Sequence, residues 1–398
     1  MRVLHICPYM HPSAGGPPVV VERICSLAPS EGWEASVITT SLYCEDDGAA
    51  LQDAMRERIE LQILPIRGPD ILKYAQGAAP AIDRAVSRAD VVHLHTLWHP
   101  LNAIARKACQ RHGRSYVLMP HGMLDPYSLR QRSWQKRLYL AAIEWRNLKA
   151  ARHLVFTTSE EEKAARAALP GLPKGVVIPL AGDSSEQSPR AERRKEFHSL
   201  FPQVETRRCL LFLGRIHEKK GVEAIVAALP EIVRRHPTVL LLVVGDGENG
   251  YVEQVKAKAA ALGVGDYVLF TGALLGAAKQ GAFASAEIFV LPSKQENFAL
   301  SVAEAMHMAV PVIVSDKVNS WPLVVAADAG FVLPEESMVA GLVERITQML
   351  NAPDLVHALG ERGRAFAEAN LTWPRVARDM VALYRQVLSE DDCHARPS

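Results

Sequence analysis

The chain has 398 residues, 48% of them hydrophobic and 22% charged, with a formal net charge of +1. Those values describe a globular protein of about two domains and give no electrostatic case for nucleic acid or a strongly acidic partner. Six scattered cysteines (Cys7, Cys25, Cys44, Cys109, Cys209 and Cys393) form no C-x-x-C pair, which argues against a zinc site or disulfide framework and for a reducing compartment.

Val3 to Cys7 is predicted as a buried strand. Interrupted by His5 and Pro8, this stretch does not read as a signal peptide, and no apolar run approaches the roughly 18 residues of a membrane span. A loop with Gly15, Gly16, Pro17 and Pro18 follows, then a helix from Val19 to about Ser30. Strand, glycine loop and helix together let a phosphate approach the backbone, although Gly-Gly-Pro-Pro is equally a plain turn. Strands are predicted over 35–39, 59–66 and 91–95, with a helix over 81–89. The last of these strands ends in His93-Leu-His95. His-x-His suggests a metal, but the two side chains read as alternating and no third ligand follows, so no metal is expected.

A helix over 102–111 and a strand over 116–119 lead to Pro120-His121-Gly122. A polar loop at the carboxyl end of a strand is where open α/β sheets place ligands. His121 is therefore a site candidate, weighed against a histidine that merely satisfies a turn. Residues 128–152 are basic and aromatic, with Arg130, Arg132, Lys136, Arg137, Arg146, Lys149 and Arg152 beside Trp134, Tyr139 and Trp145. Such a helix suits an anionic membrane surface, or else is a solvated face. A strand over 154–157, a helix over 159–168 capped by Ser159 with Glu162 three residues on, and a strand over 176–178 complete a doubly wound domain, 1–183.

Residues 184–207 are polar and charged and read as a linker. The rhythm restarts over 208–372. A strand over 209–213 precedes the loop Gly214-Arg215-Ile-His-Glu-Lys219-Lys220-Gly221, a helix over 222–235 and a strand over 239–244. Gly245-Asp-Gly247-Glu-Asn-Gly250 matches G-x-G-x-x-G and raises a nicotinamide oxidoreductase as a rival. The match is weak, because Asp266 precedes the next strand, 267–271, instead of closing it, and the segment is the second strand–helix unit of its domain.

After a helix over 277–283 comes LPSKQENFALSVAEAMHMAVPVIVS, residues 291–315: a strand end, a turn, a helix over 297–308 and another strand. Glu296 stands at the mouth of the turn, and Glu304 about two turns into the helix. A helix entered this way aims free backbone N–H groups and its positive dipole end at the crevice, which favours a phosphate. The flanking carboxylates would hold neutral hydroxyls. The bland alternative is a capping box, Ser293-x-x-Glu296. Helices over 340–350, 352–368 and 373–389 follow, and 390–398 is predicted to be a disordered tail.

Four features taken together resemble the GT-B-fold retaining glycosyltransferases of the large E-x7-E family, glycosyltransferase family 4. These are Glu296-x7-Glu304 followed by PVIVS, Gly214-Arg215 with Lys220-Gly221, Ser13-Ala-Gly15-Gly16-Pro17, and VVHLHTLWHPL with PHGMLDPYSL. The fourth looks like a branch acting in bacterial cell-surface polysaccharide assembly. The resemblance covers about residues 1–385.

It implies two Rossmann-like domains with an interdomain cleft: an acceptor-side domain over 1–183, a nucleotide-sugar domain over 208–372, and a helix, 373–389, crossing back to the first. It implies transfer of a hexose, with retention, from a nucleoside diphosphate sugar to a hydroxyl of a lipid-linked glycan. No metal or cofactor is implied, and the location would be cytoplasmic, peripheral on the inner membrane face. Arg215 and Lys220 would bind the diphosphate, Glu304 the ribose, and Glu296 the sugar hydroxyls. The backbone of Gly15, Gly16, Asn297, Phe298 and Ala299 would face the phosphates, and His121 would lie beside the reacting carbon. Ala299 and Ala309 stand where the family usually has glycine, and Pro179-Leu-Ala-Gly182-Asp183 replaces Pro-Asn-Gly-Val-Asp. These departures keep a non-catalytic sugar-nucleotide- or glycan-binding homologue in view, beside a hydrolase or epimerase on the same fold.

Overall fold

The computed structural model describes residues 1–11, 14–44, 48–55, 59–67, 75–130, 133–183, 188–247 and 249–395. Ser13 of the glycine loop, Arg132 of the basic stretch, Glu248 of the G-x-G-x-x-G run, 184–187 of the linker and 396–398 of the tail lie outside them. The chain divides into two compact units: residues 1–180 with 373–398, and residues 181–372.

The first unit is built on a seven-stranded sheet of β1 (Arg2–Tyr9), β2 (Glu34–Thr40), β3 (Glu60–Leu64), β4 (Val91–His95), β5 (Tyr116–Met119), β6 (His153–Phe156) and β7 (Gly175–Val177), in the order β3-β2-β1-β4-β5-β6-β7. All its pairings are parallel. A parallel strand covered on both faces must be apolar nearly throughout, and β4 and β5 are buried at every position. The strand order reverses direction between β1 and β4, the switch point at which such sheets hold ligands.

The second unit repeats the plan with six parallel strands: β8 (Arg208–Leu213), β9 (Val239–Val244), β10 (Val268–Gly272), β11 (Ala286–Leu291), β12 (Val312–Ser315) and β13 (Gly330–Leu333), in the order β10-β9-β8-β11-β12-β13. Its switch point falls between β8 and β11.

Several local expectations are corrected. The first helix runs Gly16–Ser26, starting ahead of Val19, because proline is tolerated in the first helical turn. The helix Ser159–Ala168 is capped by Thr158, whose hydroxyl accepts from the Glu161 N–H, not by Ser159. The stretch read as a linker holds a helix, Arg190–Leu200, whose buried Phe197 anchors an otherwise polar sequence. The tail is helical to Ala395. There Glu390 accepts from Arg152 Nε at 2.9 Å and lies 3.1 Å from His153 Nε2. The basic stretch is not one helix: Ser133–Tyr139, a π-helical turn Leu140–Glu144 and Trp145–Ala150 succeed one another. Among the described residues no helix is long and apolar enough to cross a membrane.

Candidate active site

The second unit gathers most of the predicted residues at its switch point. The loop after β8 carries Arg215 and Lys220, and the loop after β11 carries Glu296, Asn297, Phe298 and Ala299. The two loops are bonded backbone to backbone, Lys294 N donating to Lys219 O at 2.7 Å. Gly221 permits this approach. Its φ is +70°, and a Cβ there would sit 2.1 Å from Pro292 O. Gly245 and Gly247 have a related packing role, since a Cβ on them would strike Gly214 O and Ile216 O. The first two glycines of the G-x-G-x-x-G run thus support the Arg215 loop, which accounts for them without a dinucleotide.

Lys220 Nζ forms an ion pair with Glu296 Oε2, each side chain 15% exposed. Burial alone would raise the Glu296 carboxyl. The Lys220 and Lys219 charges and the Asn297 N–H outweigh it and hold the group below its ordinary value. Glu296 is also pinned through its backbone, accepting from Asn319 N and donating to Lys317 O, both at 3.0 Å. Arg215 is exposed, and it has no side-chain partner among the described residues. One fixed ammonium and one unengaged guanidinium therefore flank the loop.

The helix after that loop begins at Leu300, not Asn297, because Ala299 takes a left-handed φ of 60°. Glu304 accordingly lies little more than one turn in. No side chain caps the helix, which rules out the Ser293–Glu296 capping box and leaves its first N–H groups for another acceptor. Phe298 is buried. Glu304, also buried, pairs with Lys279 Nζ at 2.6 Å. Lys279 was invisible in the sequence: it sits 25 residues away on the helix Gly276–Ser285, with no motif around it.

In the first unit Gly15, with φ 95°, caps the helix Gly16–Ser26 after β1. His121 follows β5 with a left-handed φ of 53°, and Thr96 and Trp98 after β4 share that conformation. Such strain in non-glycine residues persists only where the surroundings impose it. Glu161, buried and missed by sequence reasoning, clamps the turn: Gly122 N and Thr157 N each donate to its carboxylate at 2.7 Å.

The expectation that the His93 and His95 side chains alternate is overturned. Residues two apart on a strand share a face, and His5 on β1 is their third member, in direct register with His93. One ring nitrogen from each of His5, His93 and His95 falls within 4.8 Å of the others. His95 Nδ1 lies 3.1 Å from His121 Nε2.

Two family models match the chain. One, described as a glycosyl transferase 4-like domain, covers residues 15–181, and the other, glycosyl transferases group 1, covers residues 193–366. The chain belongs to this glycosyltransferase family. Its two parallel-sheet domains are the GT-B fold. The sucrose-phosphate synthase of Thermosynechococcus elongatus superposes with a TM-score of 0.76 at 21% identity, covering 98% of this chain and 99% of that one. HepE of Anabaena, solved with UDP and glucose, gives 0.79 at 18% identity over 97% and 100%. Among curated relatives, a D-inositol 3-phosphate glycosyltransferase of Segniliparus rotundus is 31% identical over 54% of this chain and 46% of its own length. A GDP-mannose-dependent alpha-mannosyltransferase of Mycolicibacterium smegmatis is 32% identical over 46% and 44%. The chain thus spans about half the length of the curated relatives it matches.

Proposed function

We propose that the chain is a retaining, metal-independent glycosyltransferase. It moves a hexose from a nucleoside diphosphate sugar to a hydroxyl of a lipid-linked glycan in bacterial cell-surface polysaccharide synthesis. The observation that carries this reading is the meeting of the Lys220 loop and the Glu296 loop at a switch point, beside an uncapped helix N-terminus. Cations and backbone N–H groups stabilise charge developing on a leaving diphosphate. Arg215 and Lys220 take that role, helped by the backbone of Asn297 to Ala299 and of Gly15 and Gly16. Glu296 accepts from sugar hydroxyls and Glu304 from the ribose. His121 stands at the sugar.

In the transfer, the acceptor oxygen forms its bond to the anomeric carbon on the face from which the diphosphate oxygen departs. The acceptor's proton passes to that diphosphate oxygen. Relatives named for GDP-mannose and a fold neighbour solved with UDP-glucose support a nucleotide sugar as the donor.

Calorimetric titration of UDP, GDP and ADP tests the reading. One of them should bind and so identify the base. No binding to folded protein would leave the non-catalytic homologue, and donor consumption without acceptor would favour a hydrolase. Peripheral membrane attachment has its own support: Trp134 and Leu138, 66% and 64% exposed, stand four residues apart on a helix that also carries Lys136 and Arg137. Cosedimentation with phosphatidylserine vesicles should fall as salt rises. Absence of cosedimentation at low salt would remove the membrane from the scheme.

A further inference from the structure

The second unit carries a cavity of about 360 Å³ at the amino ends of its strands, away from the loops of Lys220 and Glu296. That volume falls in the range of small-molecule sites. Cys209 on β8, with Ser285 and Ala286 at the approach to β11, lines its buried side. Four arginines also line it. Arg190 and Arg194 stand four residues apart on one face of the helix Arg190–Leu200. Arg207 and Arg208 come where β8 begins. His357, exposed in the second turn of the helix Pro353–Asn370, adds a further basic group.

The fold accounts for only part of this charge. Arg208 is paired with Glu287, Nε to Oε2 at 2.9 Å, and donates from Nη1 to Leu350 O at 2.8 Å. Glu287 is the one acidic residue among the described residues that line the cavity. Arg190 donates to Ala284 O and Ala286 O at 3.1 and 3.0 Å, and Arg207 to Pro237 O at 3.3 Å. Backbone carbonyls hold those two in place but bring no negative charge. Arg194 and His357 have no hydrogen bond or ion pair among the described residues. Arg190 feels the crowding. Burial, then the charges of Arg194 and Arg193, push its guanidinium below its ordinary value against the pull of Glu361, which is itself paired with Arg364 at 2.6 Å. An arginine cannot relieve such crowding by giving up its proton, so relief must come from an anion.

Ser285 points the same way independently of charge. Its Oγ is buried and has no hydrogen-bond partner among the described residues. Buried hydroxyls are normally satisfied, and this residue lines the cavity.

We propose that the cavity is a second ligand site of the chain, built for a phosphate group, with Arg190 and Arg194 supplying charge and Ser285 a hydrogen bond. A planar, permanently charged guanidinium suits two phosphate oxygens at once, and the Ser285 hydroxyl donates to a third. The phosphate belongs either to a compact soluble molecule or to a lipid headgroup. The site goes beyond the sugar-nucleotide reading: β8 and β11 begin at this cavity and lead to the loops of Lys220 and Glu296, so its ligand sits behind the candidate active site and not in it.

Calorimetric titration of inorganic pyrophosphate into Lys220→Ala protein, in which the candidate diphosphate-binding lysine is gone, tests the proposal. Binding is expected, and it should weaken as salt rises. Adding Arg194→Ala, at an exposed helix position where alanine is well tolerated, should weaken it at least about 10-fold, the scale of one charge-assisted contact. Adding Ser285→Ala instead, which keeps every charge, should weaken it about 3-fold. Affinity indifferent to Arg194 overturns the proposal. Affinity that falls with Arg194 but ignores Ser285 overturns it too, in favour of a diffuse cationic surface.

Cosedimentation with vesicles containing phosphatidic acid separates the two sources of phosphate. A lipid headgroup as ligand gives vesicle binding that Arg194→Ala and Ser285→Ala both reduce, with no heat from pyrophosphate. A soluble ligand gives the pyrophosphate result and vesicle binding that neither substitution changes. Failure of both arms removes the site. None of these outcomes depends on whether UDP or GDP binds, so a chain that binds no nucleotide could still uphold this site.

Discussion

The two switch points solve the same topological problem with opposite chemistry. In the second unit the site is ionic: Lys220 with Glu296, Lys279 with Glu304, and Arg215 unengaged. In the first it is neutral: buried imidazoles and a phenol in contact, and a carboxyl, Glu144, that burial pushes up to about 7. An ionic site matches a ligand that brings charge of its own. A neutral one matches hydroxyls and must be exact in its hydrogen-bond polarity, because a buried mismatch has no water to correct it.

The contrast is broken most directly at Lys220. Lys220→Ala should weaken binding of the cognate nucleoside diphosphate about 100-fold, the scale of losing one partner of a largely desolvated charge pair. Calorimetry at fixed salt reads it, and unchanged affinity would show that the ionic site serves structure alone. The neutral site is probed at Glu144, whose Oε2 accepts from Trp98 N at 3.1 Å in the loop after β4. Its folded pKa is raised from 4.5 to about 7. The protonated form therefore contributes stability that is fully present below about pH 4.5 and is lost as pH rises through about 7. Glu144→Gln removes that dependence. Chemical denaturation should show the variant gaining roughly 3 kcal/mol on wild type between about pH 4 and about pH 8. Parallel curves would mean that Glu144 stays ionised in the fold.

The smallest effect is expected at Ala309, which has a φ of 52° just before β12, at the end of the sheet opposite the site. Ala309→Gly relieves left-handed strain of about 1–2 kcal/mol, less the entropy glycine adds to the unfolded chain. A net gain of about 0.5 kcal/mol in denaturation, with nucleotide affinity unchanged, would separate strain in the scaffold from strain at the site. A loss of stability would show that the Ala309 methyl packs better than its backbone suggests.

The same residues show what could be read from sequence. Every strand but β13, which was not predicted, was legible because parallel strands announce themselves as short apolar runs bounded by glycine, proline and polar loops, as in Val239–Val244. Lys220 and Glu296 were legible because each sits in a local motif. Lys279, Glu161 and Tyr384 were not, since Glu304, Gly122 and His93, to which they bond, stand 25 to 291 residues away and nothing local marks those pairings. His5 was missed through the period of a strand: His93 and His95 were assigned to opposite faces when they share one. The helix Arg190–Leu200 escaped because Phe197 and Arg193 are its only buried residues, and Arg193 looks polar on the page.

The placement of Tyr384 on the chain's final helix also bears on biosynthesis. Residues 181–372 are contiguous, so the second unit has everything it needs as soon as it is made. The first unit, although translated earlier, must wait for residues 373–395 before Tyr384 reaches His93. Domains usually mature in the order of their synthesis. Here the earlier one is finished last, and until then its histidine face stands open to whatever attends the emerging polypeptide.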